Sequence, residues 1–203
     1  MTEDKRKRHK QDREALLSWQ QEILMYLKDL ISMLALIMVV FVLLFRMVIV
    51  SGSSMYRTLW DGDWLLVLSS VFYQDPQRGD IIVASKDSFN DGEAIIKRVI
   101  ATEGQIVDID FDVGIVSVDG VALAEPYTYT ATNIREGMTF PLLVEDGCVF
   151  AMGDNRNNSC DSRDPSIGLI DTREILGRAV FLIFPGTHDG TSSRDFDRIG
   201  VLN

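Results

Sequence analysis

The sequence predicts a mainly β protein carried on a single N-terminal transmembrane helix, and three observations predict it. Leu30 to Phe45 reads LISMLALIMVVFVLLF, without one charge. Beyond residue 51 the pattern changes to short β-branched runs between turn residues: WLLVLSSVF, GDIIVAS, AIIKRVIA, QIVDIDFDVGIVSVDG, CVFAMG and GRAVFLIF. No stretch of helix length in that region carries an apolar stripe at helical spacing. With 203 residues and 46% hydrophobic content, the chain has enough material for one ordinary core beside the helix.

Arg46 and MVIV extend the apolar run to Val50, 21 residues from Leu30. At roughly 1.5 Å per residue such a helix reaches about 31 Å, close to a hydrocarbon core of roughly 30 Å. The run is too long for a cleavable secretory signal, although SGSSM resembles a small-residue cleavage site; an uncleaved signal anchor fits better. Arg46 either snorkels to the interface or belongs to a strand leading away from the membrane. Before the anchor, Leu16, Leu17, Ile23, Leu24, Leu27, Leu30 and Ile31 recur near helical spacing. They form either an amphipathic lead-in on the membrane surface, with Trp19 and Tyr26 as interfacial anchors, or a continuation of the spanning helix. The basic cluster KRKRHK, Lys5 to Lys10, puts the N-terminus in the cytoplasm by the positive-inside rule. The division expected is therefore a cytoplasmic tail and lead-in over 1–26, an anchor over 27–50 and an extracytoplasmic domain over 51–203.

Charge and composition exclude several classes of function. Residues 1–15 hold six Lys/Arg against four Asp/Glu, and the remaining residues hold 14 against 26. So acidic a body is a poor polyphosphate binder, which argues against nucleic acid. His9, His188, Cys148 and Cys160 are too few for a metal centre, and no cofactor motif is present. Asp108, Asp110 and Asp112 fall at the first, third and fifth positions of a calcium loop, but Val113 stands where that loop needs glycine. Alternating Ile and Val favour two half-exposed strands there. The two cysteines lie in the exported part, where a disulfide is possible but not required by a core of this size. The polar tail after Pro185 is expected to be loosely ordered.

Three clusters carry possible chemistry. SGSSMYRTLWDGD, Ser51 to Asp63, puts serines on a glycine-containing turn, where a hydroxyl can point outward while backbone N–H groups converge on a developing oxyanion. Such a serine needs a base. His9 is on the cytoplasmic side and His188 is in the tail, which leaves lysine. Lys86 sits in the polar turn ASKDSFNDGE, whereas Lys97 sits in AIIKRVIA between apolar neighbours that could desolvate its amine and leave it neutral. The alternative is a strand lysine pointing outward at a sheet edge. GDNRNNSCDSRD, Gly153 to Asp164, is either an exposed loop held by Asp and Asn side chains or a support for the site, with a serine to orient the lysine and an Asp/Arg pair to brace it.

Together these clusters resemble bacterial type I signal peptidases, the membrane-anchored Ser/Lys proteases that remove signal peptides from exported proteins. Boxes of that family read here as SGSSMYRTL, GDIIV from Gly79, KRVIATEGQ from Lys97 and GDNRNNSCDSR from Gly153, in the family's order, over roughly residues 27–185. The resemblance implies a domain of coiled antiparallel sheets, like that of the self-cleaving SOS repressors, whose DNA-binding domain has no counterpart here. It implies Ser54 as nucleophile, Lys97 as general base, Ser159 orienting the Lys97 amine, and Asp154, Asp161 and Arg163 as supports. The Ser54 N–H would be one oxyanion donor.

The substrates implied are preprotein signal peptides emerging from the secretion translocon, cut after small residues that sit in shallow apolar pockets. Met55, Tyr56, Leu59 and Trp60, with Trp64, would form an apolar face dipping into the lipid bilayer, Met55 also lining the binding region. The sequence departs from the family at Arg57, where a proline is usual, at Ala101, Glu103 and Gln105 in the lysine box, and at Gly52, which lacks a hydroxyl that some members use as second oxyanion donor. Arg57 keeps an alternative in view, a catalytically impaired membrane-anchored scaffold of the same fold.

Overall fold

The computed structural model describes residues 3–86, 89, 92–187 and 193–202, and of 3–18 and 20 the backbone alone. His188 lies outside the described residues, as do the side chains of His9 and of the Lys5–Lys10 cluster. Residues 1–43 and 44–203 form two compact units.

The described residues of the first unit are helical: α1 runs Glu3–Leu44, its last residue falling in the second unit. Lead-in and apolar run are thus a single unbroken helix. Its Gln21–Leu44 portion is long and apolar enough to cross a membrane, and none of it is buried within the protein. The helix ends at Leu44, not at Val50. Phe45–Ile49 (β1) is a strand, paired antiparallel with Trp64–Ser69 (β2) from Phe45↔Leu68 to Ile49↔Trp64. The six residues 45–50 counted into the anchor therefore belong to the second unit. The β-branched Val48, Ile49 and Val50 favour extended backbone, and the SGSSM turn returns the chain so that FRMVI can pair with WLLVLS. Arg46 is a strand residue opposite Val67.

The strands that follow are β3 (Ile81–Ser85), β4 (Ala94–Thr102), β5 (Ile106–Asp110), β6 (Ile115–Val118), β7 (Val121–Ala122), β8 (Leu142–Leu143), β9 (Cys148–Met152), β10 (Ile170–Asp171), β11 (Ile175–Phe184) and β12 (Gly200–Val201). Among the described residues they form an eight-stranded sheet ordered β1-β2-β11-β3-β4-β9-β10, with β12 on β11, and a four-stranded sheet ordered β7-β6-β5-β8. Every pairing is antiparallel.

Side-chain alternation divides the core. Ile81 and Val83 pack with Val50, Met55, Leu59 and Leu65 on one face, while Ile82 and Ala84 pack with Ile95, Val99 and Ala151 on the other. A third cluster joins β4 and β9 to the small sheet through Ile100, Val107 and Phe150. Because β3 and much of β4 are covered on both faces, they read as continuous apolar runs rather than alternating ones.

The acidic run is a hairpin of β5 and β6, with Val107 and Ile109 inward and Asp108 and Asp110 outward. Asp110 Oδ1 accepts the N–H groups of Asp112 and Val113 at 3.0 and 3.2 Å, so this carboxylate organises the turn. Cys148 and Cys160 are free thiols. Residues 193–202 return to the sheet through β12, with Val201 opposite Phe181.

Candidate active site

Lys97 lies in the middle of β4, opposite Ile82 of β3 and between Ile95 and Val99 on the same strand face. It is 4% exposed, and its Nζ donates to Ser54 Oγ at 2.9 Å. Burial is the main influence on the amine and lowers its pKa; the nearby Asp161 charge opposes that shift. The strand-edge alternative is thereby removed. Lys86 is occupied elsewhere, donating to Leu169 O at 2.7 Å.

Ser54 sits on the turn that leaves β1, and that turn is fastened to the Gly153–Ser159 loop. Asn155 N–H donates to Ser54 O at 2.9 Å, Asn155 Nδ2 to Ser53 O at 3.1 Å and Asn158 Nδ2 to Ser53 Oγ at 2.9 Å. Gly153 permits this approach: a Cβ there would stand 2.2 Å from Ser159 Oγ and 2.5 Å from Ser54 O. The Ser159 hydroxyl therefore lies beside the Ser54 backbone, but it donates to Asp161 Oδ2 at 2.9 Å. Among the described residues no hydrogen bond joins Ser159 to Lys97, although a hydroxyl that donates to Asp161 keeps its lone pairs free to accept one.

Asp161 is fully buried and accepts Gly153 N–H at 2.9 Å besides the Arg163 guanidinium, at 2.8 Å from Nε and 2.9 Å from Nη2. Arg163 reaches on to Glu136 at 3.1 Å. Burial, and next the Asp161 charge, push the Glu136 carboxyl up to about 7 despite Arg163. Asp154, also fully buried, accepts Arg98 Nε and Nη2, each at 2.9 Å, together with the Thr58 hydroxyl. Strand alternation sends Lys97 and Arg98 to opposite faces of β4, and both meet the same turn, Lys97 through Ser54 and Arg98 through Asp154 and Thr58. Arg98, Arg156, Asn155, Thr58 and Glu136 were not singled out from the sequence. Arg98 and Arg156 stand inside the quoted boxes, yet nothing in the sequence distinguishes a buried arginine from a solvated one.

A cleft of about 340 Å³ opens onto the Ser54–Lys97 pair, walled by Val48, Val50, Met55, Ile95 and Ile96. Met55 lines it from the core, being 1% exposed, and Leu59 is fully buried, so neither residue belongs to an outward apolar face. The turn folds them inward because i to i+4 spacing places both on its core side, where Leu59 N–H bonds Met55 O at 2.8 Å. Tyr56 is half-buried, edge-on to Tyr129 at 4.9 Å, and Trp60 is half-buried beneath Arg198.

A strand-borne buried lysine touching a serine beside an apolar cleft suits acyl transfer. The family model "Signal peptidase, peptidase S26" matches residues 23–184. The chain belongs to the signal peptidase family. Signal peptidase I of Bacillus amyloliquefaciens is 37% identical over 168 residues, covering 78% of this chain and 83% of the relative. Probable signal peptidase I-1 of Synechocystis sp. is 39% identical over 153 residues, covering 70% of this chain and 72% of the relative. A solved signal peptidase I from Enterococcus faecalis V583 is 29% identical, covering 51% of this chain and 96% of that one at a TM-score of 0.42. Membership makes this chain a serine endopeptidase of the kind that acts on the signal peptides of exported preproteins.

Two outcomes follow for stability in the full chain. Arg98→Met should cost about 3–5 kcal/mol because it leaves Asp154 charged and buried, whereas Arg98→Met with Asp154→Leu should recover most of it; equal losses in denaturant melts would reject the pair as the cause. For Lys97, burial lowers the folded-state pKa below the ordinary 10.5, so the unfolded state binds the extra proton in the window beneath that value. Stability should rise with pH through that window, and thermal midpoints of Lys97→Met should lose this rise.

Proposed function

We propose that this signal peptidase cleaves by a Ser54/Lys97 dyad, and that its supporting groups fix the geometry of those two residues. The observation that carries the reading is the 2.9 Å contact between the Ser54 hydroxyl and a buried Lys97 amine on the wall of the cleft. With Lys97 neutral, its Nζ takes the Ser54 proton as Oγ attacks the scissile carbonyl carbon. The oxyanion forms beside the Ser54 N–H, which bonds no group among the described residues. The C–N bond breaks as the lysine ammonium returns its proton to the leaving amine, the new N-terminus of the mature protein. A water then gives a proton to Nζ and attacks the acyl ester; Ser54 Oγ leaves and recovers that proton, and the signal peptide departs as a carboxylic acid that loses its remaining proton to solvent.

Asp161, braced by Arg163, moderates the Lys97 amine by its charge and holds Ser159 and Gly153 against the nucleophile turn. Asp154 ties Thr58 to Arg98. The modest apolar cleft suits a small residue before the scissile bond. The substrates are preproteins emerging from the translocon, with the N-terminus of the enzyme cytoplasmic beside Lys5–Lys10 and residues 44–203 on the outer face. Contact with the bilayer is assigned to exposed residues in place of Met55 and Leu59: Met47 and Ile49 of β1, Trp64 of β2 and Phe184 of β11, where Ile49, Trp64 and Phe184 stand in one register across three strands.

The test is incubation of the full chain in detergent with an alanine-rich preprotein, the product's N-terminus read by mass spectrometry. One cut after a small residue is expected, absent in Ser54→Ala and in Lys97→Ala; cleavage by either variant would reject the dyad. The rate should climb towards alkaline pH as Lys97 loses its proton, and a flat profile would count against a titrating amine.

A further inference from the structure

The segment after Pro185 ends in a contact that reaches the nucleophile turn. Residues Phe196–Arg198 form a short 3-10 turn, and β12 behind it is pinned to β11 by Phe181↔Val201 and by Leu202 N–H to Val180 O at 3.1 Å. From there Arg198 grips Asp63 with both ends of its guanidinium, Nη1 to Oδ1 at 3.0 Å and Nη2 to Oδ2 at 2.7 Å. Nη2 also donates to the carbonyl of Thr58 at 3.0 Å, and the guanidinium lies 3.8 Å over the Trp60 ring.

Asp63 is fully buried and accepts two further donors, Trp60 N–H at 2.7 Å and Gly186 N–H at 2.6 Å. Gly186 has no room for a side chain, since a Cβ would lie 2.0 Å from Asp61 O. One guanidinium thus holds the turn at Thr58, Trp60 and Asp63 from one side. The Thr58 hydroxyl is held from the other by Asp154, whose partner Arg98 adjoins Lys97. Bidentate, stacked arginine contacts fix position more sharply than a lysine can.

We propose that Arg198 is a positioning residue for peptide cleavage, locking Thr58 and Asp63 so that Ser54 stays within reach of Lys97. The C-terminal segment is then part of the catalytic apparatus and not an appendage. The inference rests on the reading of Ser54 as nucleophile.

Its test is preprotein cleavage by the full chain in detergent, comparing wild type, Arg198→Gln, Arg198→Lys and Ser54→Ala, with thermal midpoints beside the kinetics. Displacing a reacting group by about 1 Å costs on the order of 100-fold, so Arg198→Gln should lower kcat by at least about ten-fold. KM should stay within about two-fold, because the cleft walls are untouched. Arg198→Lys, which restores the charge without the fork, should recover part of kcat.

If Arg198→Gln fails to fold because Asp63 is left charged and buried, the neutral pair Asp63→Asn with Arg198→Gln takes its place, with the same loss of kcat expected. A folded Arg198→Gln, or folded neutral pair, with the kcat of wild type would overturn the proposal. So would a loss of kcat matched by an equal loss of folded protein. If Ser54→Ala still cleaves, the nucleophile assignment falls and the clamp has no target; if Ser54→Ala is dead while Arg198→Gln is normal, the clamp alone falls.

Discussion

An amine withdrawn from water next to a hydroxyl is the constraint around which residues 44–203 are arranged. Lys97 can remain uncharged only where desolvation outweighs the carboxylates nearby. The carboxylates whose charge reaches the amine, Asp161 and Glu136, share one partner, Arg163, whose own charge works against the ammonium. Asp154 is matched to Arg98, and Glu125 to Arg156, whose Nη1 bonds Glu125 Oε2 at 2.8 Å. Burial dominates at Nζ.

Buried ion pairs contribute little net stability, since desolvation offsets most of their attraction. Here they supply geometry. Arg98, Arg156 and Arg163 are among the largest fully buried side chains, and each joins segments distant in sequence. Arg163 Nη1 and Nη2 reach Ile134 O at 3.1 Å and Arg156 O at 2.6 Å, while Arg156 Nε reaches Gly153 O at 3.1 Å. The loop that abuts Ser54 is therefore braced from behind by two guanidinium groups. Loop backbone with few apolar side chains has no core of its own, and multivalent arginines do for it what packing does for the strands.

The strands β2, β3, β4, β9 and β11 and the β5–β6 hairpin were legible because β-branched runs bounded by turns have one common reading. Strand β1 was not, because FRMVI continues an apolar run whose hydrophobicity suits a membrane helix equally well. The two-residue strands β7, β8, β10 and β12 carry no pattern at all. At the site, Ser54 and Lys97 were legible from local chemistry and from the resemblance. The network behind them was not, since charge says nothing of burial: Arg98 and Arg198 look like any surface arginine until Asp154 and Asp63 are seen to meet them. The apolar face was misjudged for a related reason. A five-residue turn folds Met55 and Leu59 inward and leaves Trp64 outward, and sequence proximity cannot separate the two.

Arg57 was the departure that kept an impaired scaffold in view, because proline would have fixed the backbone after Ser54. The turn carries backbone bonds of its own around that residue. Leu59 N–H bonds Met55 O at 2.8 Å across position 57, and Tyr56 N–H bonds Ser53 O at 3.1 Å just before it. Thr58, the next residue, is held by its hydroxyl to Asp154 and by its carbonyl to Arg198. The Arg57 side chain is itself exposed, so its charge needs no buried partner. What a proline ring would restrict in the unfolded chain, these hydrogen bonds restrict in the folded one, and Ser54 stays fastened to Asn155.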